Sequence, residues 1–259
     1  MRLDLYIAEK GLAKSREQAK ELIKSGKVSV DGKVTAKPAF DVTDADSVKI
    51  LGDTLKYVGR GGLKLERAVS EFGIRLSGRV CIDIGASTGG FTDCMLQNGA
   101  AYVYAVDVGH GQLDEKLLKD DRVINMEGCD IRKLTADSFD KKPDLISADV
   151  SFISLRLVLP KINELLPDNG EAAVLIKPQF EAGRSAIGKN GIVKDKKAHI
   201  KVLEEIYLFC PSVGLSVQGI VPSPITGGSG NREYLAYLKK GGESSSFDFE
   251  KIVSAAFND

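Results

Sequence analysis

The stretch that most constrains the fold is VCIDIGASTGGFTD, residues 80–93. An apolar run ends on Asp83, and the chain then turns through Gly85, Gly89 and Gly90 before a helical pattern resumes. A buried strand feeding a glycine-rich loop and a helix is the opening unit of a nucleotide-binding sheet. Small residues there, Ala86 and Ser87 among them, let backbone N–H groups approach a ligand closely. A dinucleotide fingerprint needs G-x-G-x-x-G, and Ser87 stands at its middle glycine, so a pyrophosphate is disfavoured. The next strand, YVYAVDVG, ends on Asp107, where a ribose diol would be held. S-adenosylmethionine has a ribose and no phosphate, and it fits this pattern better than NAD.

Strands and helices alternate after residue 60. Strands are predicted at 79–84, 101–107, 122–126, 143–149, 171–177, 215–221 and 233–238, and helices near 90–98, 113–119, 155–166 and 195–209. That alternation argues an open parallel sheet with helices on both faces, with ligands at the carboxyl ends of its strands. The rule selects Asp83, Asp107, Asp130, Asp149 and Lys177. Taken singly, each is an ordinary polar residue at a strand end. Lys177 follows the apolar run AAVLI and would be costly if buried unpaired, which makes Asp149 on the neighbouring strand its natural partner. Glu233 opens the last strand. Lys64 lies in the first turn of a helix whose apolar face is Leu65, Ala68, Val69 and Phe72. A cation is unfavourable there for the helix dipole, so the position suggests another demand on it. The segment 178–195 is long for a connection and carries Arg184, Lys189 and Lys194, which reads either as an RNA-facing lid or as a surface insert.

The first sixty residues differ in character. They carry twelve Lys/Arg against nine Asp/Glu, whereas the whole chain is balanced at 36 each. A short helix closes at Gly11. A second is capped by Ser15 with Gln18 completing a capping box, and it ends at Gly26. Arg16, Lys20 and Lys24 fall on one line of that helix, and a hairpin then turns on Asp31-Gly32. The charged line alone is equally a solvated face. With RLD, GLAKSREQAKELIKSGKVSVDGK, KP and DADSVKI, however, residues 1–50 resemble the S4-type RNA-binding domain, or alpha-L motif. The resemblance implies that Lys14, Arg16, Lys20 and Lys24 face structured RNA, mostly its phosphates. Residues 51–62 read as a linker.

Composition narrows the function further. The cysteines at 81, 94, 129 and 210 form neither a zinc nor a disulfide pattern, so free thiols of a reducing cytoplasm and no metal are expected. The N-terminal MRLDLYIAEKGL has no apolar signal core, and the longest uncharged run, 206–231, is broken by three prolines and five glycines. No membrane association is expected.

The motifs RGGLKL, DIGASTGGFTD, AVDVG, ADVSFIS, LIKPQFE and GNREYL together resemble the FtsJ-like RNA ribose methyltransferases. The two-domain chain resembles the TlyA family of rRNA 2′-O-methyltransferases, also labelled hemolysins. The resemblance implies an α/β fold with a Rossmann-like class I methyltransferase sheet of seven strands, mostly parallel, at 59–259. A small α+β RNA-binding domain would occupy 1–58. It places the family's Lys-Asp-Lys-Glu tetrad on Lys64, Asp149, Lys177 and Glu233, with Lys177 as the base that takes the ribose hydroxyl proton. For S-adenosylmethionine it implies Asp83, Gly85, Ala86, Ser87, Gly89, Gly90, Phe91 and Asp149 around the methionine portion. Asp107 would hold the ribose and Asp130 the adenine amine. Arg60 and Arg184 would join the RNA-facing set, and the substrate would be cytidine of ribosomal RNA in ribosomal subunits. Gly59 departs from the serine that such proteins tend to have before RGG. The rival readings are a non-catalytic RNA-binding factor, a membrane-lytic protein and an NAD enzyme.

Overall fold

A computed structural model describes residues 1–24, 26–51, 56–227 and 230–258. The chain divides into two compact units, Met1–Lys56 and Tyr57–Asp259. Residues 52–55 of the expected linker lie outside the described residues. Tyr57 is buried in the second unit's core, with Val58 packed against the same cluster.

In the first unit, α1 (Leu3–Glu9) and α2 (Arg16–Lys24) share a core with a small antiparallel sheet. Its strands β1 (Val28–Val30), β2 (Lys33–Val34) and β3 (Val48–Ile50) lie in the order β2-β1-β3. The hairpin turns on Asp31 and Gly32 at φ 50° and 77°, the two positive values that a type I′ turn requires. Ser15 Oγ accepts from the Gln18 N–H at 3.2 Å, as a cap should. The Gln18 side chain accepts from the Lys14 N–H at 2.6 Å, one residue earlier than a capping box places it.

The second unit opens with α3 (Gly61–Phe72), then β4 (Val80–Ile84), α4 (Gly90–Gln97), β5 (Tyr102–Asp107), α5 (Glu115–Leu118), β6 (Val123–Glu127) and β7 (Leu145–Ala148). It continues through α6 (Leu159–Leu165), β8 (Glu171–Ile176), α7 (Pro178–Glu181), α8 (Lys196–Ser212), β9 (Leu215–Pro222), β10 (Tyr234–Lys240) and α9 (Phe249–Asn258). The seven-stranded sheet has the order β6-β5-β4-β7-β8-β10-β9. Its central strands β4, β7 and β8 are buried on both faces. Ile82, Ile146 and Val174 enter one core layer, while Cys81, Leu145 and Ala173 enter the other.

Strands β4 to β8 pair in parallel, and β10 is antiparallel to both β8 and β9. A purely parallel sheet is therefore modified by one reversed strand. The reversal positions the site. A parallel strand brings its last residue to the carboxyl rim, whereas β10 brings its first, so Glu233 arrives beside Lys177 with Tyr234 paired to Ile176.

Two segments differ from the sequence reading. Residues 178–195 are not a plain loop. Pro178 starts the short helix α7, a position that suits its fixed φ, and 3₁₀ turns follow at Arg184–Ala186 and Lys189–Gly191. Helix α9, unassigned above, packs Val253 and Ala256 into the core.

Asp83 is an internal tie. It is fully buried and accepts from Thr92 Oγ1 of α4 at 2.7 Å and from Ser147 Oγ of β7 at 3.0 Å. Burial raises its pKa to about 6, against the opposing pull of those two hydroxyls. Because the folded value lies above the unfolded one, the stability conferred by its proton is fully present below about pH 4. It is lost as pH rises through about 6. Asp83→Asn removes this titration. Relative to the wild type, the variant should gain on the order of 3 kcal/mol between pH 4 and pH 7. Urea unfolding of both proteins at the two pH values checks it; parallel curves would contradict the assignment.

Candidate active site

The carboxyl rim of the sheet holds four buried or half-buried charges from four different places in the chain. Lys64 projects from the first turn of α3, Asp149 follows β7, Lys177 follows β8 and Glu233 precedes β10. Lys64 Nζ lies 2.7 Å from Glu233 Oε2 and 3.4 Å from Asp149 Oδ2. Lys177 Nζ lies 2.5 Å from Asp149 Oδ1 and donates to Ser151 Oγ at 2.9 Å. Gln179 Nε2 donates to the other Glu233 oxygen at 3.0 Å. Both lysines are only 7% exposed, so this pairing offsets a desolvation cost that either would bear alone. It also accounts for a lysine in the first turn of a helix. Ser151 and Gln179 complete the arrangement, and neither was singled out from the sequence, although both lie in the quoted motifs ADVSFIS and LIKPQFE.

Two cavities meet at this cluster. One, of about 290 Å³, is lined by Lys64, Lys177 and Arg60 and by the loop residues Ala86, Gly90 and Phe91. The other, of about 580 Å³, runs along the ends of β4 and β5 past Asp107 and Asp130. Gly85, Ser87, Asp149 and Ser151 line both. The larger volume falls within the range of small-molecule sites.

The larger cavity fits S-adenosylmethionine in chemistry as well as size. Ile84, Val106, Val108 and Ile131 give it apolar walls suited to a flat base. Asp107 receives one backbone N–H on each oxygen, from Ser87 at 2.8 Å and Gly109 at 2.7 Å. A carboxylate oxygen has two acceptor sites, so each retains one for a ribose hydroxyl. Asp130 lies at the far side with Arg132 paired to it in two-pronged fashion, Nε to Oδ1 at 2.9 Å and Nη2 to Oδ2 at 2.7 Å. The guanidinium and the backbone N–H of Arg132 hold the Asp130 carboxyl below its ordinary pKa. Arg132 is the one basic residue among the described lining residues, and its charge is already paired, so the cavity offers a pyrophosphate no free cation.

Three expected residues stand apart. Asp83 lines neither cavity, because Thr92 and Ser147 hold its carboxylate inside the sheet. Gly89 lines neither one, and its role is steric. It is the N-cap of α4, at φ 92°, and a Cβ there would come within 2.1 Å of Leu117 and 2.8 Å of Leu113. Arg184 is exposed in its 3₁₀ turn and lines neither cavity, and the side chain of Lys189 lies outside the described residues. In the first unit, Lys14 and Lys24 are exposed. Arg16 pairs with the buried Asp4 at 3.0 Å, and Lys20 pairs with Glu17 at 2.5 Å. Arg2, passed over in the sequence, pairs with the same Asp4 at 3.0 Å.

Sheet order, glycine loop and rim carboxylates together define a methyltransferase of the S-adenosylmethionine-dependent class. Residues 57–240 match the FtsJ-like methyltransferase family, and residues 1–48 match the S4 domain. The chain is 41% identical to the 16S/23S rRNA (cytidine-2′-O)-methyltransferase TlyA of Mycobacterium tuberculosis, over 92% of this chain and 89% of the relative. It is 44% identical to Hemolysin A of Brachyspira hyodysenteriae, over 92% and 99%. A solved structure named as a hemolysin, from Streptococcus thermophilus, superposes with a TM-score of 0.82 at 45% identity, over 100% of this chain and 96% of the other. The chain belongs to the TlyA family, with an S4 domain followed by an FtsJ-like methyltransferase domain.

Gly85 tests how the two cavities depend on each other. Its φ is 81°, and a Cβ would lie 2.6 Å from the backbone oxygen of Asp149, which has no rotamer with which to yield. Gly85→Ala should therefore displace Asp149 and weaken S-adenosylmethionine binding by about tenfold or more, a loss of ~1.4 kcal/mol or above. Calorimetric titration beside a far-UV spectrum checks this; unchanged affinity would mean that the wall adjusts.

Proposed function

We propose that the protein methylates a ribose 2′-hydroxyl of cytidine in ribosomal RNA, within ribosomal subunits, in the cytoplasm. The observation that carries the reading is the Lys64–Glu233 and Lys177–Asp149 pairing at the wall shared by two cavities. One cavity suits the cofactor, and the other leaves room at the paired charges for a nucleotide sugar. The names of the relatives support ribosomal RNA and cytidine as substrate.

S-adenosylmethionine, when bound, supplies a methyl group on a sulfonium that an oxygen nucleophile can attack. The residues of the chain do the rest. Asp107 would hold the ribose of the cofactor and Asp130 its adenine amine, while the backbone of Gly85 to Ser87 would line the methionine portion. Lys177 Nζ, in its uncharged form, would take the hydroxyl proton as the new O–C bond forms and the bond between that carbon and sulfur breaks, leaving a neutral thioether. Asp149 and Ser151 aim that amine. Lys64, held by Glu233, orients the hydroxyl. Lys14, Arg16, Lys20 and Lys24 of the S4 domain, with Arg60 and Arg184, engage RNA phosphates. Among the described residues no helix is long and apolar enough to cross a membrane.

Transfer of labelled methyl from S-adenosylmethionine to isolated ribosomal subunits and to intact ribosomes tests the reading. Label should appear on RNA and protect one position from alkaline cleavage. Lys177→Ala should lower the rate by about 100-fold or more, the range of a general base, with cofactor affinity retained. A wild type that binds the cofactor and methylates no particle would replace this reading with a non-catalytic one.

A further inference from the structure

Ribose chemistry in RNA brings a charge to the site that the four paired groups do not meet. The reacting 2′-hydroxyl sits beside the carbon that bears the 3′-phosphodiester. Lys64 and Lys177 balance Asp149 and Glu233, two cations against two anions, and both lysines are engaged. A phosphate within a few ångströms therefore needs a cation from elsewhere.

A third cavity, of about 150 Å³, adjoins the cluster and is lined by Glu233, Arg232, Ser223, Thr226 and Ala256. Thr226 also lines the cavity that holds Lys64 and Lys177, so the two spaces are neighbours. At ~30 Å³ per liquid water, the third has room for several waters or one phosphate group. Arg232 is fixed in place. Its Nε donates to the Ala256 backbone oxygen at 2.7 Å, and its guanidinium carbon lies 4.2 Å from the centre of the Phe257 ring. Among the described residues, its Nη groups have no hydrogen-bond or ion-pair partner. A guanidinium held by one nitrogen and one face keeps its fork for a planar or tetrahedral anion, at little further entropic cost.

Resting on the ribose-methylation reading, we propose that this cavity is a phosphate subsite, in which Arg232 receives the phosphodiester on the 3′ side of the target ribose. The subsite would set the target nucleotide's register against the paired charges. It would also favour RNA over a free nucleoside, which lacks that phosphate.

The test compares full-length wild type, Arg232→Gln and Arg232→Lys for binding to ribosomal subunits and for methyl transfer at several KCl concentrations. Arg232→Gln should raise both Kd and KM for RNA about tenfold, as loss of a charge-assisted contact does. It should leave S-adenosylmethionine affinity unchanged and reduce the slope of log affinity against log salt by about 0.7–0.9. Arg232→Lys should restore the slope and only part of the affinity, since it keeps the charge and loses the fork. An unchanged slope in Arg232→Gln overturns the proposal, even if stability or turnover falls, because it leaves Arg232 as a tie to α9 alone. If Arg232→Gln does not fold, Thr226→Glu places a carboxylate in the same cavity without touching the bond to Ala256. It should weaken RNA binding in the same way, and unchanged binding overturns the proposal. If wild type binds RNA and transfers nothing, the ribose reading falls, whereas the slope still judges the subsite.

Discussion

Two lysines and two carboxylates, nearly out of reach of water, organise the second unit. Burying one such charge alone costs several kcal/mol, and the cost is offset only when a partner is close. Lys64, Asp149, Lys177 and Glu233 meet this condition together: Asp149 touches both lysines, and Glu233 closes on Lys64. The four come from one helix and three strand ends that are far apart in sequence. The condition that makes the charges affordable thus also fixes α3, β7, β8 and β10 to one another at the rim.

The glycine loop works by leaving space. Gly85 lets the backbone of Asp149 come against it, and Gly89 lets Leu113 and Leu117 seat under the start of α4. With no side chain at Gly85, both cavities reach Asp149 and Ser151, which line the two of them. The carboxylate at the strand end, Asp83, faces inward: Thr92 and Ser147 take it as the tie between α4, β4 and β7.

Much of this was legible in the sequence because it obeys strong periodic rules. Apolar runs ending in one polar residue located the strands, and the strand-end rule led to Asp107, Asp130, Asp149 and Lys177. Asp83 obeyed the same rule and points elsewhere, because side-chain direction at a strand end depends on which neighbours offer hydroxyls. Gly89 looked like part of a ligand cradle, yet the atoms it makes room for belong to Leu117 of α5 and to Leu113 just before it, a contact that no local pattern encodes. Ser151 and Gln179 gain their places from long-range pairing, whereas Arg132 pairs locally with Asp130 two residues before it. Residues 178–195 lack periodicity, but Asn231 binds the segment through Gly191 O and Val193 N, and buried His199 binds it through Val193 O.

The position of β10 has a consequence for how the protein comes into being. This strand comes last in chain order among the strands of the sheet, yet it lies between β8 and β9 and separates them. Until residues near 240 have left the ribosome, β8 has an unpaired edge and Glu233 is missing from the charge cluster. Lys64 then lacks its nearest carboxylate. Up to that point the nascent chain is chemically incomplete at this rim. Closure of the sheet waits on a non-local pairing, which is intrinsically slow. A protein of this design matures in one late step, with the sheet and the charge cluster completed by the same strand.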